Sequence, residues 1–573
     1  MISGSDINAK LQHRSFSKSS YNILTNYGLS PLLARIYAAR GIDDPRLITP
    51  DINNLLPPVS LKGINEAIEL LIEAIIKKHK IWIVGDYDCD GATATSLLVS
   101  VLRKLNSNIN YMIPQRLTMG YGLSELIANK LISLKPDLVI TVDNGISSHK
   151  GVEILRKNCI KVLITDHHLP ASSLPNANAI VNPNQPGCEF PSKCLAGVGV
   201  AFYVLIGLRQ QLRQKHNIDF ALGQYYDFVA IGTVADLVPL DYNNRILVHY
   251  GLKQIQGGKA NVGVKALLLA NQIDRSRVNA SSLSFVIGPN LNAAGRLADM
   301  TLGIECLTCN EESKALQYAE NLKKINSERK KTENNIKADA MRLINSADLN
   351  KYKSNKTISL YQPDWHLGVI GIVAARIREN TNKPTFIFSR DESCNLRGSG
   401  RSISNLNLRD CLDIIEKNNP KLLIAFGGHA MAVGVTISEK DFEKFSYEFD
   451  KTVAEYFGDI QSQHIVSDGN LSNEDINVYN LRSIENAVWG KGLPAPLFDD
   501  TFSIDNVKHL KNDHWKLRIS NKRLRINALY FNAPERFNNY MLSNTKNISF
   551  TYTMLESEFQ GVRDINLKIK SLL

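Results

Sequence analysis

The chain has 573 residues, 44% hydrophobic and 21% charged, which is typical of a globular protein with three or four domains. No stretch approaches the ~18 consecutive apolar residues of a membrane-spanning helix, and the N-terminus lacks the apolar core of a secretory signal. The sequence therefore predicts a cytoplasmic protein. Its formal net charge of +11 permits a polyanionic partner without requiring one.

The eight cysteines are too few and too scattered for a disulfide framework. Cys306 and Cys309 form one isolated CxxC, without the second pair that a structural zinc site needs. Cys188 and Cys194 have no histidines at ligand spacing. We therefore expect eight reduced thiols.

In chain order, the predicted elements begin with a helical segment over residues 1–60. From 61 to 304, amphipathic helices such as 67–78 alternate with the β-branched runs IWIV, LVITV and KVLIT. This alternation is typical of βαβ units around a mostly parallel sheet. Residues 305–350 are rich in Glu, Lys and Ala and predict a long connecting helix.

Two further domains are predicted beyond that helix. Residues 351–460 have the pattern of a second α/β domain, and residues 461–573 carry short alternating runs such as HWKLRIS and LRINALYF, which predict a small β-barrel. The predicted fold class is therefore α/β and multidomain.

Four predicted strands end in acids or histidines. IWIVG continues into DYDCDG, LVITV into DNG and KVLIT into DHH, while FVAIGTVAD ends in an acid. Ligand sites of a doubly wound sheet lie beyond the carboxyl ends of its strands, so we expect these side chains to meet in one pocket. They are Asp86, Asp88, Asp90, Asp143, Asp166, His167, His168 and Asp236.

Several carboxylates in one crevice repel one another unless cations neutralise them. Carboxylate oxygens with one or two imidazoles suit Mn²⁺ or Mg²⁺ better than zinc or copper. Each motif alone is weak, because a strand-end Asp is more often a helix cap or a turn residue. DYDCDG also lacks the closing Glu of a calcium loop. All four together favour a site for two divalent cations that cleaves phosphate esters.

The four motifs, in this order, resemble those of the DHH phosphoesterase superfamily, named for the sequence at residues 166–168. The closer resemblance is to its RecJ branch and covers nearly the whole chain. It is carried by RLTMGYGLS, LAGVGVAFYV, PNLNAAGRL, WHLGVIGIVAARI, RGSGRSI, FGGHAMAVG and WGKGLPAPLF. The resemblance implies a DHH domain with a parallel sheet, a DHH-associated domain after the connecting helix, and a C-terminal OB-type barrel.

The resemblance also implies roles for the clustered residues. Asp143 would bridge the two ions, Asp86 would lie beside them as ligand or base, and His168 would face the scissile phosphate. Val84 occupies a position where some members of the superfamily have a ligand histidine, so we expect either fewer protein ligands on the first metal or Asp86 as the substitute. The implied metal ligands are Asp88, Asp90, Asp143, His167 and Asp236.

Residue types and resemblance together predict groups that hold the DNA strand. Ser399, Gly400 and Arg401 lie in a predicted glycine-rich turn, where amides and a guanidinium can bind a terminal phosphate. Tyr121 can stack on a base, and Asn290, where the family usually has arginine, is expected to alter a phosphate contact. The other predicted contacts are Arg116, Asn292, Arg296, Gly428 and His429.

In the predicted barrel, basic and aromatic residues alternate in a way that suits either a strand-binding surface or an ordinary charged face. They are Arg518, Arg523, Arg525, Trp515 and Tyr530.

The function that the resemblance implies is a 5′→3′ exonuclease that hydrolyses single-stranded DNA to 5′-mononucleotides with two Mn²⁺ or Mg²⁺ ions, in recombination and repair. It further implies a monomer that works with a single-strand binding protein and a helicase. Two alternatives stay open. A superfamily hydrolase of short oligonucleotides or cyclic dinucleotides is disfavoured by the chain length and basic charge, and a silent DNA-binding scaffold by the presence of every carboxylate.

Overall fold

The computed structural model describes residues 10–105, 108–115, 119–345, 355–457, 464–510, 513–522, 524–534, 537, 547–559 and 562–573. The chain forms two compact units, which are described separately below. One contains Met1–Pro45, Lys330–Glu485 and Pro496–Leu573, and the other contains Arg46–Arg329 and Asn486–Ala495.

The N-terminal segment begins with a strand where the sequence predicts helix. Strand β1 (Lys10–His13) pairs in parallel with residues 464–467, and helices α1 (Lys18–Asn26) and α2 (Pro31–Ala38) follow. Arg40 then forms a two-pronged, fully buried ion pair with Asp468, at 2.8 and 2.9 Å. The partner of β1 lies about 450 residues away in sequence, so local patterning carries no signal for it.

A parallel sheet forms the centre of the second unit. Its elements are α3 (Ile64–Ile76), β2 (Lys80–Gly85), α4 (Cys89–Lys104), β3 (Asn108–Met112), α5 (Glu125–Leu134), β4 (Leu138–Val142), α6 (His149–Lys157), β5 (Lys161–Thr165) and β6 (Ala179–Val181). The strand order is β3-β2-β4-β5-β6, and every adjacent pair is parallel. The predicted strands at IWIV, LVITV and KVLIT are confirmed.

Both faces of this sheet are buried, which explains its continuous apolar strands. In β4, Leu138 and Ile140 pack into the larger core with α3, α4 and the later helices. Val139 points the other way, into a smaller core with α5 and α6. The alternation of side chains along a strand thus supplies both layers from one sequence.

Helices complete this unit: α7 (Gly197–His216), α8 (Tyr226–Ala235), α9 (Tyr242–Gln256), α10 (Val262–Ala270), α11 (Ala280–Ser282), α12 (Gly288–Leu297), α13 (Thr301–Thr308) and the part of α14 (Glu312–Asn345) up to Arg329. The strand predicted for FVAIGTVAD is wrong, because these residues form most of α8. A short apolar run that is buried all round has no periodicity to separate strand from helix. Every residue of α8 from Asp227 to Val234 is buried.

The predicted connecting helix is two helices. The chain leaves helical geometry at Cys309, which is extended, and α14 starts at Glu312 and runs for 34 residues without proline or glycine. The last predicted positions, 346–350, lie outside the described residues.

The second α/β region lies in the other unit. It contains β7 (Ile358–Tyr361), α15 (Ile370–Thr381), β8 (Thr385–Arg390), β9 (Asn395–Arg401), α16 (Leu408–Asn418), β10 (Ala425–His429), β11 (Ala432–Ser438) and α17 (Phe442–Tyr456). The strand order is β10-β11-β9-β8-β7. Its core is aromatic, with Phe386 and Phe388 on β8 packed against Phe445 and Phe449 on α17.

The C-terminal part contains β12 (His464–Ser467), α18 (Val478–Asn486) and the predicted barrel, which is confirmed. Strands β13 (Phe498–Leu510), β14 (His514–Ser520), β15 (Arg525–Tyr530), β16 (Asn547–Phe559) and β17 (Val562–Leu572) close in the order β13-β14-β15-β17-β16. All eight cysteines are free thiols, as predicted. Within the described part of the chain, every helix is too short or too polar to cross a membrane.

Candidate metal site

The first acidic motif fills the turn between β2 and α4. Asp86 follows the strand, and its Oδ1 accepts a hydrogen bond from the Tyr87 amide at 2.7 Å. Asp88 caps α4 by accepting from the Gly91 amide at 3.0 Å. Asp90 lies in the first helical turn and is buried. Three carboxylates thus point from one strand–helix turn toward the carboxyl edge of the sheet.

Asp143 follows β4 in an unusual backbone conformation, with φ of 60°. Aspartate tolerates this left-handed region better than most residues do. The Asp143 amide donates to Thr165 O on the neighbouring strand at 3.0 Å. The side chain is 2% exposed, and its Oδ1 has no hydrogen-bond partner among the described residues. The chain therefore holds a buried carboxylate oxygen in the pocket that faces His167 Nε2 at 3.1 Å without a described hydrogen bond.

Within the DHH motif, Asp166 orients the two histidines. Its Oδ1 accepts from the His167 and His168 amides and from His168 Nδ1 at 2.8 Å, and its Oδ2 accepts from the Ile146 amide. Burial is the largest single influence on the pKa of Asp166 and raises it, but the hydrogen bonds from His168 and Ile146 and the two histidine charges together leave that pKa lowered. Burial lowers the pKa of His168, but the bond to Asp166 and the surrounding carboxylate charges together raise it to about 9. Asp166 is thus a positioning residue.

The clustered side chains converge, as expected from the strand ends. Nε2 of His167 lies 3.1 Å from Asp143 Oδ1 and 3.6 Å from Asp236 Oδ2. Asp236, at the end of α8 instead of a strand, reaches the same pocket. Three groups have donor atoms within 4.8 Å of one another: Asp86, Asp88 and Asp143; Asp90, His167 and Asp236; and Asp143, His167 and His168.

The electrostatics of these groups fit divalent cations. Burial, together with the neighbouring carboxylates, raises the pKa of Asp90 to about 7 and that of Asp236 to about 8, and raises the pKa of Asp143 as well. Burial and the nearby His168 lower the pKa of His167 to about 4, which leaves a neutral imidazole. Its Nε2 has no hydrogen-bond partner among the described residues. Crowded carboxylates and a neutral imidazole are a donor set for Mn²⁺ or Mg²⁺.

Val84, at the position where some members of the superfamily have a ligand histidine, cannot bind a metal ion. Its side chain is fully buried in the core beneath α5 and α6. Asp86 lies with Asp88 and Asp143 in one candidate group. The geometry therefore favours Asp86 as the substitute over a site with fewer protein ligands.

The N-terminus of α7 completes the pocket, and the motif-by-motif reasoning missed it. The amides of Gly197 and Val198 donate to the two oxygens of Asp90, at 2.6 and 2.9 Å. A Cβ on Gly197 would lie 2.6 Å from the Asp143 Cβ, and one on Gly232 would lie 2.8 Å from Asp90 Oδ1. The glycines of LAGVGVAFYV were the available signal, since a glycine at a helix start allows such close approach.

One predicted substrate contact, Tyr121, lies beside this pocket. The Tyr121 hydroxyl donates to Asp143 O at 3.2 Å, and its ring stands edge-on to His168, with 48% of the residue exposed. Asn292 instead faces α4, where its Oδ1 accepts from the Cys89 amide at 2.8 Å. Arg296 lies half-buried in the last turn of α12. Arg116 lies outside the described residues.

The expectation that Asn290 alters a phosphate contact stays a prediction. Asn290 is 1% exposed, and its amide donates to Asn271 Oδ1 and Val286 O at 3.0 Å each. Its own oxygen accepts from Asn326. This side chain is a buried link among helices and has no access to a ligand.

In the other unit, Ser399, Gly400 and Arg401 lie in strand β9 and not in a turn. The Arg401 guanidinium donates to Ser399 Oγ at 3.1 Å and to Gly400 O at 2.8 Å. A Cβ on Gly371, in the first turn of α15, would lie 2.9 Å from both the guanidinium and the hydroxyl. An arginine, a serine and a helix start therefore meet, which is an arrangement suited to a phosphate.

Gly428 and His429 are exposed at the end of β10, and Gly428 has φ of 131°. Non-glycine residues rarely adopt such a conformation. Their predicted approach to the scissile phosphate stays a prediction.

Of the basic and aromatic residues predicted for the barrel, the described ones differ in exposure, since Tyr530 is buried and the others are at least partly exposed. Tyr530 is 5% exposed and packs against Phe537 inside the barrel, so it is not part of an exposed strand-binding surface. Arg525 forms an ion pair with Asp505 at 3.1 Å. Phe531, which sequence reasoning missed, is 39% exposed and lies under Lys568. Arg518 and Trp515 are at least partly exposed, and Arg523 lies outside the described residues.

Models of three domain families match the chain. They are the DHH family, N-terminal domain, over residues 80–233, the DHHA1 domain over 354–455, and the RecJ OB domain over 467–571. The first match contains the acids and histidines of the pocket up to His168, and the second contains the Ser399–Arg401 pair.

Individual proteins match over nearly the whole chain. The single-stranded-DNA-specific exonuclease RecJ of Haemophilus influenzae is 40% identical over 94% of this chain and 95% of its own length. The crystal structure of Thermus thermophilus RecJ with Mn²⁺ is 26% identical, with a TM-score of 0.82 over 98% of this chain and 79% of that one. Its Mg²⁺ complex is 25% identical, with a TM-score of 0.77 over 98% and 78%.

Proposed function

Because the chain belongs to the RecJ family of single-stranded-DNA-specific exonucleases, we propose that it hydrolyses single-stranded DNA from the 5′ end to 5′-mononucleotides, with two Mn²⁺ or Mg²⁺ ions. The observation that carries this proposal is the convergence of buried carboxylates and a neutral His167 in one pocket. Five residues would hold the ions, namely Asp88, Asp90, Asp143, His167 and Asp236, with Asp86 as a sixth.

A pair of bound divalent cations lowers the pKa of a water molecule and neutralises charge on the phosphoryl oxygens. The chain supplies the rest of the catalytic environment. Asp143 belongs to the group with Asp86 and Asp88, and its Oδ1 lies 3.1 Å from Nε2 of His167 in the group with Asp90 and Asp236, so Asp143 would bridge the two groups. His168, kept protonated by Asp166, would donate a hydrogen bond to a phosphate oxygen, where negative charge grows in the transition state. Asp86 would accept a proton or serve as a ligand.

Recognition of the 5′ end is assigned to the unit that contains strand β9. The Ser399 hydroxyl and the Arg401 guanidinium meet at the first turn of α15, and a terminal phosphate would receive hydrogen bonds from both. Tyr121 would stack on a base, a contact of ~1–3 kcal/mol that tolerates any sequence. Arg116, Asn292, Arg296, Gly400, Gly428 and His429 are proposed as further contacts.

Digestion of one long single strand, labelled at either the 5′ or the 3′ end, tests the polarity. We expect early release of the 5′ label as a mononucleotide, with the 3′ label staying on long fragments, in Mn²⁺ and in Mg²⁺ assayed separately. Early release of the 3′ label would overturn the proposed direction.

A hydrolase of short oligonucleotides remains the second candidate, since metal ligands do not distinguish substrate length. Turnover of a long 5′-phosphorylated strand should exceed that of a dinucleotide at equal phosphodiester concentration. Equal or better turnover of the dinucleotide would contradict the exonuclease assignment.

The proposed cellular role rests on the resemblance to the RecJ family. We place the enzyme in the cytoplasm as a monomer, in recombination and repair, with a single-strand binding protein and a helicase that supplies free ends. Pull-down of each candidate from an extract with the full chain checks these partners.

A further inference from the structure

Asn244, in the first turn of α9, is fully buried and lies outside the groups of candidate ligands. Its side-chain amide donates two hydrogen bonds to backbone oxygens, to Cys194 O at 2.7 Å and to Pro239 O at 2.9 Å. These two carbonyls belong to separate segments of the chain. One side chain therefore joins the segment before α7 to the loop after α8.

The segment around Cys194 positions two members of one candidate metal group. The backbone of the next residue, Leu195, lies close enough to the His167 ring to act on the pKa of that imidazole, which it raises. Two residues further on, the amides at the start of α7 hold both oxygens of Asp90. A shift of this segment would move Asp90 and His167 together.

The loop that ends at Pro239 carries the third member of that group. Asp236 terminates α8, and Leu237 follows with φ of 57°, a left-handed conformation that is unfavourable for a non-glycine residue. Such a loop needs outside support. It receives that support from Asn244 and from a second contact, where Ser192 Oγ donates to Asp241 Oδ2 at 2.6 Å.

We propose that Asn244 is a positioning residue for one of the two metal ions, the one assigned to Asp90, His167 and Asp236. The other candidate group, formed by Asp86, Asp88 and Asp143, depends on the turns after β2 and β4 and has no described hydrogen bond to Asn244. The inference rests on the proposed two-metal function and adds that the two sites can be weakened separately.

The test measures Mn²⁺ binding to the full chain by titration calorimetry and by the electron paramagnetic resonance of free Mn²⁺. Asn244→Asp keeps the shape but replaces the amide donor by a carboxylate that faces two carbonyls. Outer-shell partners of a metal site contribute about 10- to 100-fold in affinity, so we expect one of two Mn²⁺ ions to bind that much more weakly while the other is unchanged. Asn244→Ala, which buries no charge, should give the same selective loss.

The neighbouring Asn243 provides a matched control. It is also buried, but its Oδ1 accepts from Tyr203 and from the Leu56 amide, and Asn243→Asp keeps both contacts. We expect this variant to bind two Mn²⁺ ions like the parent, even if it melts at a lower temperature. Should either Asn244 variant that melts cooperatively keep both affinities, or lose both equally, the inference is wrong. Failure of the parent chain to bind two ions would instead contradict the proposed function.

Discussion

Asp143 is the residue on which the pocket depends most. It belongs to two candidate groups, its Oδ1 has no described hydrogen bond, and its backbone occupies a left-handed conformation. A carboxylate that only stabilised the fold would be paired with a donor or a cationic side chain. The cost of placing it here is offset when a cation binds.

Asp143→Ala should therefore abolish hydrolysis while single-strand binding persists. We expect the loss of kcat to exceed by far the roughly 10–100-fold effect of an outer-shell substitution, because the bridge between two ions disappears. Rates are measured on a 5′-labelled strand, and binding by fluorescence anisotropy with the same strand. Cleavage that survives this substitution would remove the two-metal model.

Gly197 allows α7 to start against the metal pocket. A methyl group there would approach the carboxylate of Asp143 to 2.7 Å at Oδ1, so Gly197→Ala should displace it and weaken Mn²⁺ binding. Gly199, two residues later on the same helix, is the matched control, because an added Cβ would come no closer than 3.3 Å, to Leu195. Calorimetric titration with Mn²⁺ compares the two variants. Equal Mn²⁺ affinities would show that the close approach of Gly197 to Asp143 does not matter for metal binding.

The raised pKa values of Asp90 and Asp236 predict how metal binding depends on pH. Their folded-state values of about 7 and 8 lie above those of an unfolded chain. Protonation of these two carboxyl groups therefore stabilises the metal-free folded protein at low pH. This stabilisation is lost as the pH rises through the folded-state pKa values of the two groups. Mn²⁺ binds the ionised carboxylates and displaces protons. The increase in Tm on adding Mn²⁺ should thus be larger at about pH 8.5 than at about pH 6. A shift that is independent of pH would contradict the proton competition.

At the scale of elements, the start of α15 is a second place where a glycine allows other side chains, here Ser399 and Arg401, to approach the helix backbone closely. A Cβ at Gly371 would crowd both Ser399 and Arg401. Gly371→Ala should therefore raise KM for 5′-phosphorylated strands with little change in kcat. The ratio of kcat/KM for 5′-phosphorylated strands to that for 5′-hydroxyl strands should fall. Kinetics on the two substrates measure this, and Gly427→Ala, at a position with open space around its backbone, is the control. An undiminished preference for the 5′-phosphate would place end recognition elsewhere.

The elements also separate what sequence could predict from what it could not. Strands β2, β4 and β5 were predictable because a parallel strand buried on both faces is a continuous apolar run bounded by turn signals. The same reasoning failed for α8, whose run is equally apolar. It placed Asp236 correctly in the pocket for an incorrect reason.

Contacts between distant segments were beyond prediction for a different reason. The support that Asn244 gives to two backbone carbonyls, and the burial of Asn290 among helices, leave no periodicity in the chain. The sequence pattern around a polar residue in a helix is the same whether its side chain faces solvent, a ligand or a buried carbonyl. Only tertiary packing decides between these environments.

At the scale of the whole molecule, charge and length distinguish an enzyme that acts on polymers from one that acts on small substrates. The chain has a net charge of +11 and a closed barrel with the exposed Arg518 in addition to the metal site. Each phosphate of a single strand that is neutralised contributes about −0.7 to the slope of log affinity against log salt. A dinucleotide, with one internal phosphate, cannot give a steep slope.

We therefore expect the affinity for a long single strand to fall steeply with salt, with a slope of about −3 or steeper, equivalent to roughly four or more phosphate contacts. The slope should flatten as the strand is shortened to a few nucleotides. Anisotropy titrations in Ca²⁺, which fills oxygen-ligand sites, measure binding where cleavage is slow. Arg518→Gln should reduce the slope for the long strand and leave the slope for the short strand unchanged, since a strand of a few nucleotides has too few phosphates to occupy the metal pocket and a barrel contact together. Equal slopes for long and short strands would show that the enzyme contacts only the end of its substrate.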